Sequence, residues 1–130
     1  MLNRKDILNK LNELHLPKGH YALGSSGVLV LNGIKEFAND LDIDVDKELF
    51  ESFLSQGYSY WVYSYKNRKI IDLSDEVQLI CVDKLDLENI EEIENLSVYS
   101  VDYVKAFKKD LGREKDLKDI ELIDKWILSR

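Results

Sequence analysis

Apolar positions along the chain change their period several times, and each change predicts an element. In NRKDILNKLNEL (3–14), Ile7, Leu8, Leu11 and Leu14 recur at helical spacing. Pro17, the one proline, and Gly19 end that helix. HYALG (20–24) is short and apolar, a buried strand running into a turn at Gly24. Ser25 and Ser26 then stand as N-cap residues before the apolar run GVLVL, and Gly33 closes this second helix. DLDIDV (40–45) alternates strictly: Leu41, Ile43 and Val45 take one face of a strand, Asp40, Asp42 and Asp44 the other.

The second half follows the same logic. DKELFESFLSQG (46–57) carries Leu49, Phe50, Phe53 and Leu54 along one helical side. YSYWVYSY (58–65) is aromatic and hydroxyl-rich, a strand signal, and KNRK turns the chain into KIIDL. VQLICVD (77–83) and LSVYS (96–100) read as further strands. VDYVKAFKKDL (101–111) and EKDLKDIELIDKWILSR (114–130) read as helices, the latter with Leu117, Ile120, Ile123, Ile127 and Leu128 at helical spacing. The order α-β-α-β-α-β-β-(β)-α-α predicts an α/β (α+β) domain, a mixed β-sheet flanked by helices, over residues 1–130. No internal repeat or low-complexity linker interrupts it.

Composition narrows the function classes. With 45% hydrophobic and 33% charged residues, the chain has the profile of a globular protein able to build one core. A net charge of −7 argues against a general DNA or RNA backbone binder, which needs a basic face. A small anionic ligand held by local donors and metal ions stays compatible with it. Cys81 is the one cysteine and reads as a buried small hydrophobe. There is no N-terminal apolar signal region and no run of 18 apolar residues, so a cytoplasmic protein is expected. His15 and His20 have no partners at catalytic spacing, and no Ser-His-Asp, Cys-His or zinc arrangement is visible.

The aspartates are the chemical anomaly. On a strand, Asp40, Asp42 and Asp44 project from one side with neighbouring Cα atoms about 6.5 to 7 Å apart. Short acidic side chains are poor strand formers, and side by side they repel one another unless a cation is expected. Mg²⁺ takes oxygen ligands, one or two of them protein carboxylates, the rest water or phosphate oxygens. Upstream, Gly24-Ser25-Ser26-Gly27 sits between a strand and a helix, where backbone N–H groups and two hydroxyls suit phosphate. A phosphate cradle followed by Asp-x-Asp is a coherent device for a metal-bound nucleoside triphosphate.

The stretch LGSSGVLVLNGIKEFANDLDIDV resembles the signature of the nucleotidyltransferase superfamily, the polymerase-beta-like fold in minimal form. Ser25-Ser26 occupies the Gly/Ser pair, Gly33 the second glycine, Lys35 the place where arginine is usual, and Asn39 precedes Asp40-Leu41-Asp42. KKDLGREKDLKDIELI is similar to the segment that ends many small members, with Lys108, Arg113, Lys115, Asp116, Asp119 and Ile120 falling on it. The resemblance runs from about residue 20 to 124. It implies Mg²⁺- or Mn²⁺-dependent transfer of a nucleoside monophosphate from an NTP to an acceptor hydroxyl. Asp40 and Asp42 would hold metal; Gly24, Ser25, Ser26, Lys35 and Lys108 would bind nucleotide. It also implies a second chain, as homodimer or hetero-complex, to complete the cleft.

Active members add a third carboxylate from a neighbouring strand. The triplet here is Val77-Gln78-Leu79, and Gln78 is neutral. Asp72 in KIIDL, flanked by apolar residues, is the expected substitute, with Glu76 the other option. Without one, the protein binds nucleotide as a catalytically silent relative or toxin–antitoxin-type partner. Asp44 reads as a flank position or a spare ligand. Lys115-Asp116 and Lys118-Asp119 read as helix-surface pairs or as packing of the last helix beside the site. The tyrosines and Trp61 of the aromatic strand offer either core packing or a stacking surface.

Overall fold

The computed structural model describes all 130 residues. Local rules account for most element ends. Helix α1 (Arg4–Leu14) starts with a capping box between Asn3 and Asp6 and buries Ile7 and Leu11. Helix α3 (Lys47–Ser55) is capped by the Asp46 side chain, helix α4 (Val101–Leu111) by Ser100 and, at its C-terminus, by left-handed Gly112. Helix α5 (Glu114–Leu128) opens on Arg113, whose side chain grips Asp116.

The short helix α2 (Ser25–Leu31) differs from the sequence expectation. Gly24, not a serine, is its N-cap, and Ser25 stands inside the helix with φ +55°. That conformation is costly for a residue with a Cβ, of order 1–3 kcal/mol, and the surrounding turn imposes it. Gly27 explains how α2 sits. A Cβ there would meet the side chains of Leu23 and Leu41 at 3.2–3.3 Å, so glycine lets the helix lie close on strands β1 (Tyr21–Leu23) and β2 (Leu41–Val45).

Seven strands form one sheet in the order β3-β4-β5-β2-β1-β7-β6, with β3 Trp61–Tyr63, β4 Arg68–Ser74, β5 Val77–Cys81, β6 Ile90–Ile93 and β7 Leu96–Tyr99. β2–β5 and β1–β7 are parallel and the remaining pairs antiparallel, giving the mixed sheet expected. Leu41, Ile43 and Val45 are fully buried in a core of 27 residues that α1, α2 and α3 share. Two strands depart from the sequence expectation. Of YSYWVYSY only Trp61–Tyr63 pairs, as an exposed sheet edge, because Lys66 and Asn67 turn the chain with positive φ into β4. β6 is an addition; IEEI lacks alternation, and its two glutamates lie exposed on the other sheet edge, joined to β7 by Glu94 and Asn95 at positive φ.

Candidate functional site

Strand β2 lays out the floor of the site. Asp42 and Asp44 are half-buried on the face opposite the core, and Asp40 is exposed just before the strand begins. A main-chain hydrogen bond from the Gly24 N–H to the Asp42 carbonyl, 2.9 Å, locks the Gly-Ser-Ser turn beside the aspartates. Burial pushes the Asp42 carboxyl up to about 6, and the charges of Asp40 and Asp44 add to it. Burial likewise pushes Asp44 to about 6, although the Tyr99 hydroxyl donates to it at 3.0 Å. Tyr99 stacks on Tyr103 with ring centroids 4.0 Å apart. Sequence reasoning missed this pair; LSVYSVDY places the two tyrosines four apart across the Ser100 cap, which brings the rings together at a strand-to-helix corner.

The register settles where the neighbouring polar residues stand. Asp42 lies opposite Gln78 on β5, and Gln78 lies opposite Asp72 on β4, so one row crosses three strands. Asp72 therefore shares the aspartate face but sits two strands from Asp42, roughly 10 Å away by strand spacing. Its carboxylate is occupied: Gln78 Nε2 donates to one oxygen at 2.8 Å and Trp61 Nε1 to the other at 3.0 Å. The structure does not bring Asp72 to the pair. Glu76 lies on the β4–β5 turn and faces Lys10 at 3.4 Å. No three His, Cys, Asp or Glu side chains cluster as a metal cage.

The far wall is a charged network. Lys108 is 3% exposed, with Nζ 2.9 Å from Asp119 and 3.7 Å from Asp116. Lys35 reaches Asp119 at 3.0 Å, and the Arg113 side chain bonds both oxygens of Asp116. Ser26 Oγ donates to Asp119 at 3.4 Å. Burial works against ionised Asp116 and Asp119, but Arg113 and Lys108 hold the first below the usual carboxylate range, and Lys108 and Lys35 the second. These aspartates are thus interior ties between α2, α4 and α5, not the surface pairs that spacing allowed. The two lysines expected at the nucleotide are already partnered, with the three cations outnumbering the two carboxylates.

Between floor and wall lies a cavity of about 800 Å³. Gly24, Ser25, Ser26, Lys35, Asp40, Asp42 and Lys108 all line it; Asp72 does not. Its other half is apolar, built from Ile70 and Ile80 on the sheet and Trp61, Tyr63, Tyr65 and Phe107 around them. Tyr65 packs edge-on against Phe107 at 5.8 Å and donates its hydroxyl to Asp110, which joins the aromatic hairpin to α4. A volume of this size takes a nucleotide-sized ligand.

In sequence, no family model and no curated protein matches the chain. In structure it is similar to a crystal structure described as a "putative nucleotidyltransferase" from Thermotoga maritima, with a TM-score of 0.62 over 99% of this chain and 97% of that one. The two chains share one fold. At 19% identity the likeness is one of architecture, and it agrees with the nucleotidyltransferase resemblance read from the Gly-Ser-Ser and Asp-x-Asp segments. No helix is long and apolar enough to cross a membrane.

Proposed function

We propose that the chain is a metal-dependent nucleotidyltransferase that moves a nucleoside monophosphate from a nucleoside triphosphate to an acceptor. One observation carries this reading: the 2.9 Å bond between Gly24 and Asp42 ties the phosphate-type turn to the acidic strand at one cavity. The residues fit a divalent cation. Burial, with Asp40 and Asp44 beside it, pushes the Asp42 carboxyl up to about 6, and at pH 7 the three charges make a surplus of negative charge that a dication relieves. Asp40 and Asp42 would hold it, and when bound it neutralises the triphosphate and polarises the α-phosphoryl group.

The chain's own work is positioning. Ser25 and Ser26 offer hydroxyls and the turn's N–H groups to phosphate oxygens. Lys35 and Lys108, kept in place by Asp119, set a positive field behind them. The aromatic half and the α4–α5 corner wall the cavity on the sides away from the turn.

A second reading is nucleotide binding without transfer, and Gln78 favours it. The residue facing Asp42 across β2–β5 is neutral, and Asp72 is tied to Gln78 and Trp61. The two separate when pure protein is incubated with α-labelled ATP, GTP, CTP and UTP, Mg²⁺ or Mn²⁺, and lysate as acceptor. Label transfer that vanishes in Asp40→Ala and Asp42→Ala supports the enzyme. Metal-dependent nucleotide binding with no transfer establishes the binding reading.

A further inference from the structure

Resting on the transferase reading, the missing carboxylate and the chemistry of the cavity's far half together specify the acceptor. An alcohol attacking a phosphoryl group must lose its proton, and a carboxylate beside the attacking oxygen is the usual means. The strand position facing Asp42 holds Gln78, whose amide nitrogen donates to Asp72. Asp72 has both oxygens engaged and does not line the cavity. Asp116 and Asp119 line it but are bound to Arg113, Lys108 and Lys35. Asp44 accepts from Tyr99 and borders Ile80 on β5, one row away from Asp42. Glu36 lines the cavity from the loop after α2, not from the strand that faces Asp42. Neither histidine lines the cavity.

The apolar half carries a free cation. Lys35, Lys108 and Arg113 are each paired with a carboxylate, and Lys115 stands on the α5 side. Arg68 lines the cavity from β4 and makes no ion pair. Its guanidinium stands 5.9 Å from the Tyr65 ring centroid, and Ile70, Ile80, Trp61 and Tyr63 line the same cavity. A half-buried arginine beside flat apolar surfaces recognises an oxyanion attached to an organic group.

From this juxtaposition we infer that the acceptor is a phosphomonoester, attacking with an oxygen that is already ionised. A phosphomonoester loses its second proton near a pH of about 6 and so brings no proton that a base must remove. Its oxyanion forms a bond to the α-phosphorus, the bond from that phosphorus to the β-bridging oxygen breaks, and pyrophosphate leaves. The product is a nucleotide joined to the acceptor through a new P–O–P link. Gln78 suits this step better than an aspartate, since a third carboxylate there would repel the incoming phosphate. Arg68 holds the acceptor, and Trp61 and Tyr63 cover its organic part.

The test uses acceptor pairs that differ only in the phosphate: ribose 5-phosphate against ribose, phenyl phosphate against phenol, and an oligonucleotide with a 5′-phosphate against one with a 5′-hydroxyl. Each is incubated with the protein, Mn²⁺ and the four α-labelled triphosphates. Label is expected on a phosphorylated member at least about tenfold faster than on its partner, in a product that phosphatase leaves intact. Arg68→Gln raises the acceptor KM about tenfold or more, and Gln78→Asp shifts the preference toward the hydroxyl member. Equal or faster transfer to the hydroxyl members overturns the inference and leaves the transferase reading standing. No transfer to any member while lysate still accepts label overturns the inference alone; no transfer to lysate either, with Mn²⁺-nucleotide still bound, overturns both.

Discussion

Asp42 concentrates the conflict between folding and function. Its carboxyl is raised to about 6 by burial and by its two acidic neighbours, so at neutral pH its charge weakens the metal-free fold. Replacing it with asparagine keeps the shape and removes the charge. Asp42→Asn is therefore expected to melt higher than wild type at pH 7.5 without metal, and to lose the melting increase that Mg²⁺ or Mn²⁺ gives wild type. Thermal melts of both proteins with and without metal check this; an unchanged metal response in the variant contradicts it. At this scale the sequence is informative, because strict alternation over 40–45 fixes which side chains share a face. It is silent on Asp72, whose fate depends on the Trp61 indole, and that contact follows from the β3–β4 pairing.

At the scale of elements, the short helix α2 governs the site, and two interactions hold it. Gly27 allows its close seat on Leu23 and Leu41. Gly27→Val should cost about 1 to 3 kcal/mol by overpacking, measured by denaturant unfolding, and weaken nucleotide binding with it because the Gly24–Asp42 bond shifts. The buried network behind it is the second. Lys108→Met leaves Asp116 with Arg113 and Asp119 with Lys35 but removes the buried cation between them, and losing its charged hydrogen bond to Asp119 costs about 1.5 to 3 kcal/mol. An unfolding free energy within about 1 kcal/mol of wild type would show that the network adds little to the fold. None of this network can be read from spacing. Asp116 and Asp119 fall where an isolated helix is exposed, and only the packing of α5 on α4, which itself lies against α2, turns them inward. Edge strands are the other blind spot: β6 gains its shape from pairing with β7, and aromatic content overstates β3.

For the whole molecule, two sets of carboxylates pull stability in opposite directions with pH. Asp42 and Asp44 keep protons up to about pH 6 in the folded state, while the unfolded chain releases them near 3.8. The folded state thus binds more protons in that window, and stability falls as pH rises through it, by about 1.4 kcal/mol per pH unit for each group. Asp116 and Asp119 are held below the usual range, so the stability they contribute is lost as pH drops beneath it. The metal-free protein is expected to be most stable at about pH 4 to 5, and divalent metal to move that maximum toward neutrality. A pH series of melts with EDTA and with Mn²⁺ reads both; a metal-free maximum at or above pH 7 contradicts the assignment. The overall architecture is legible in the sequence because helices and buried strands each carry their own period, and the one sheet assembles them in the mixed order found.

The central claim is that Asp40 and Asp42 form, with the Gly-Ser-Ser turn, a site for a metal-bound nucleoside triphosphate. Calorimetric titration with a non-hydrolysable triphosphate, with and without Mn²⁺, tests it most directly. Binding should require the metal and weaken by about a hundredfold in Asp42→Asn. Equal affinity without metal, or in the variant, would contradict it.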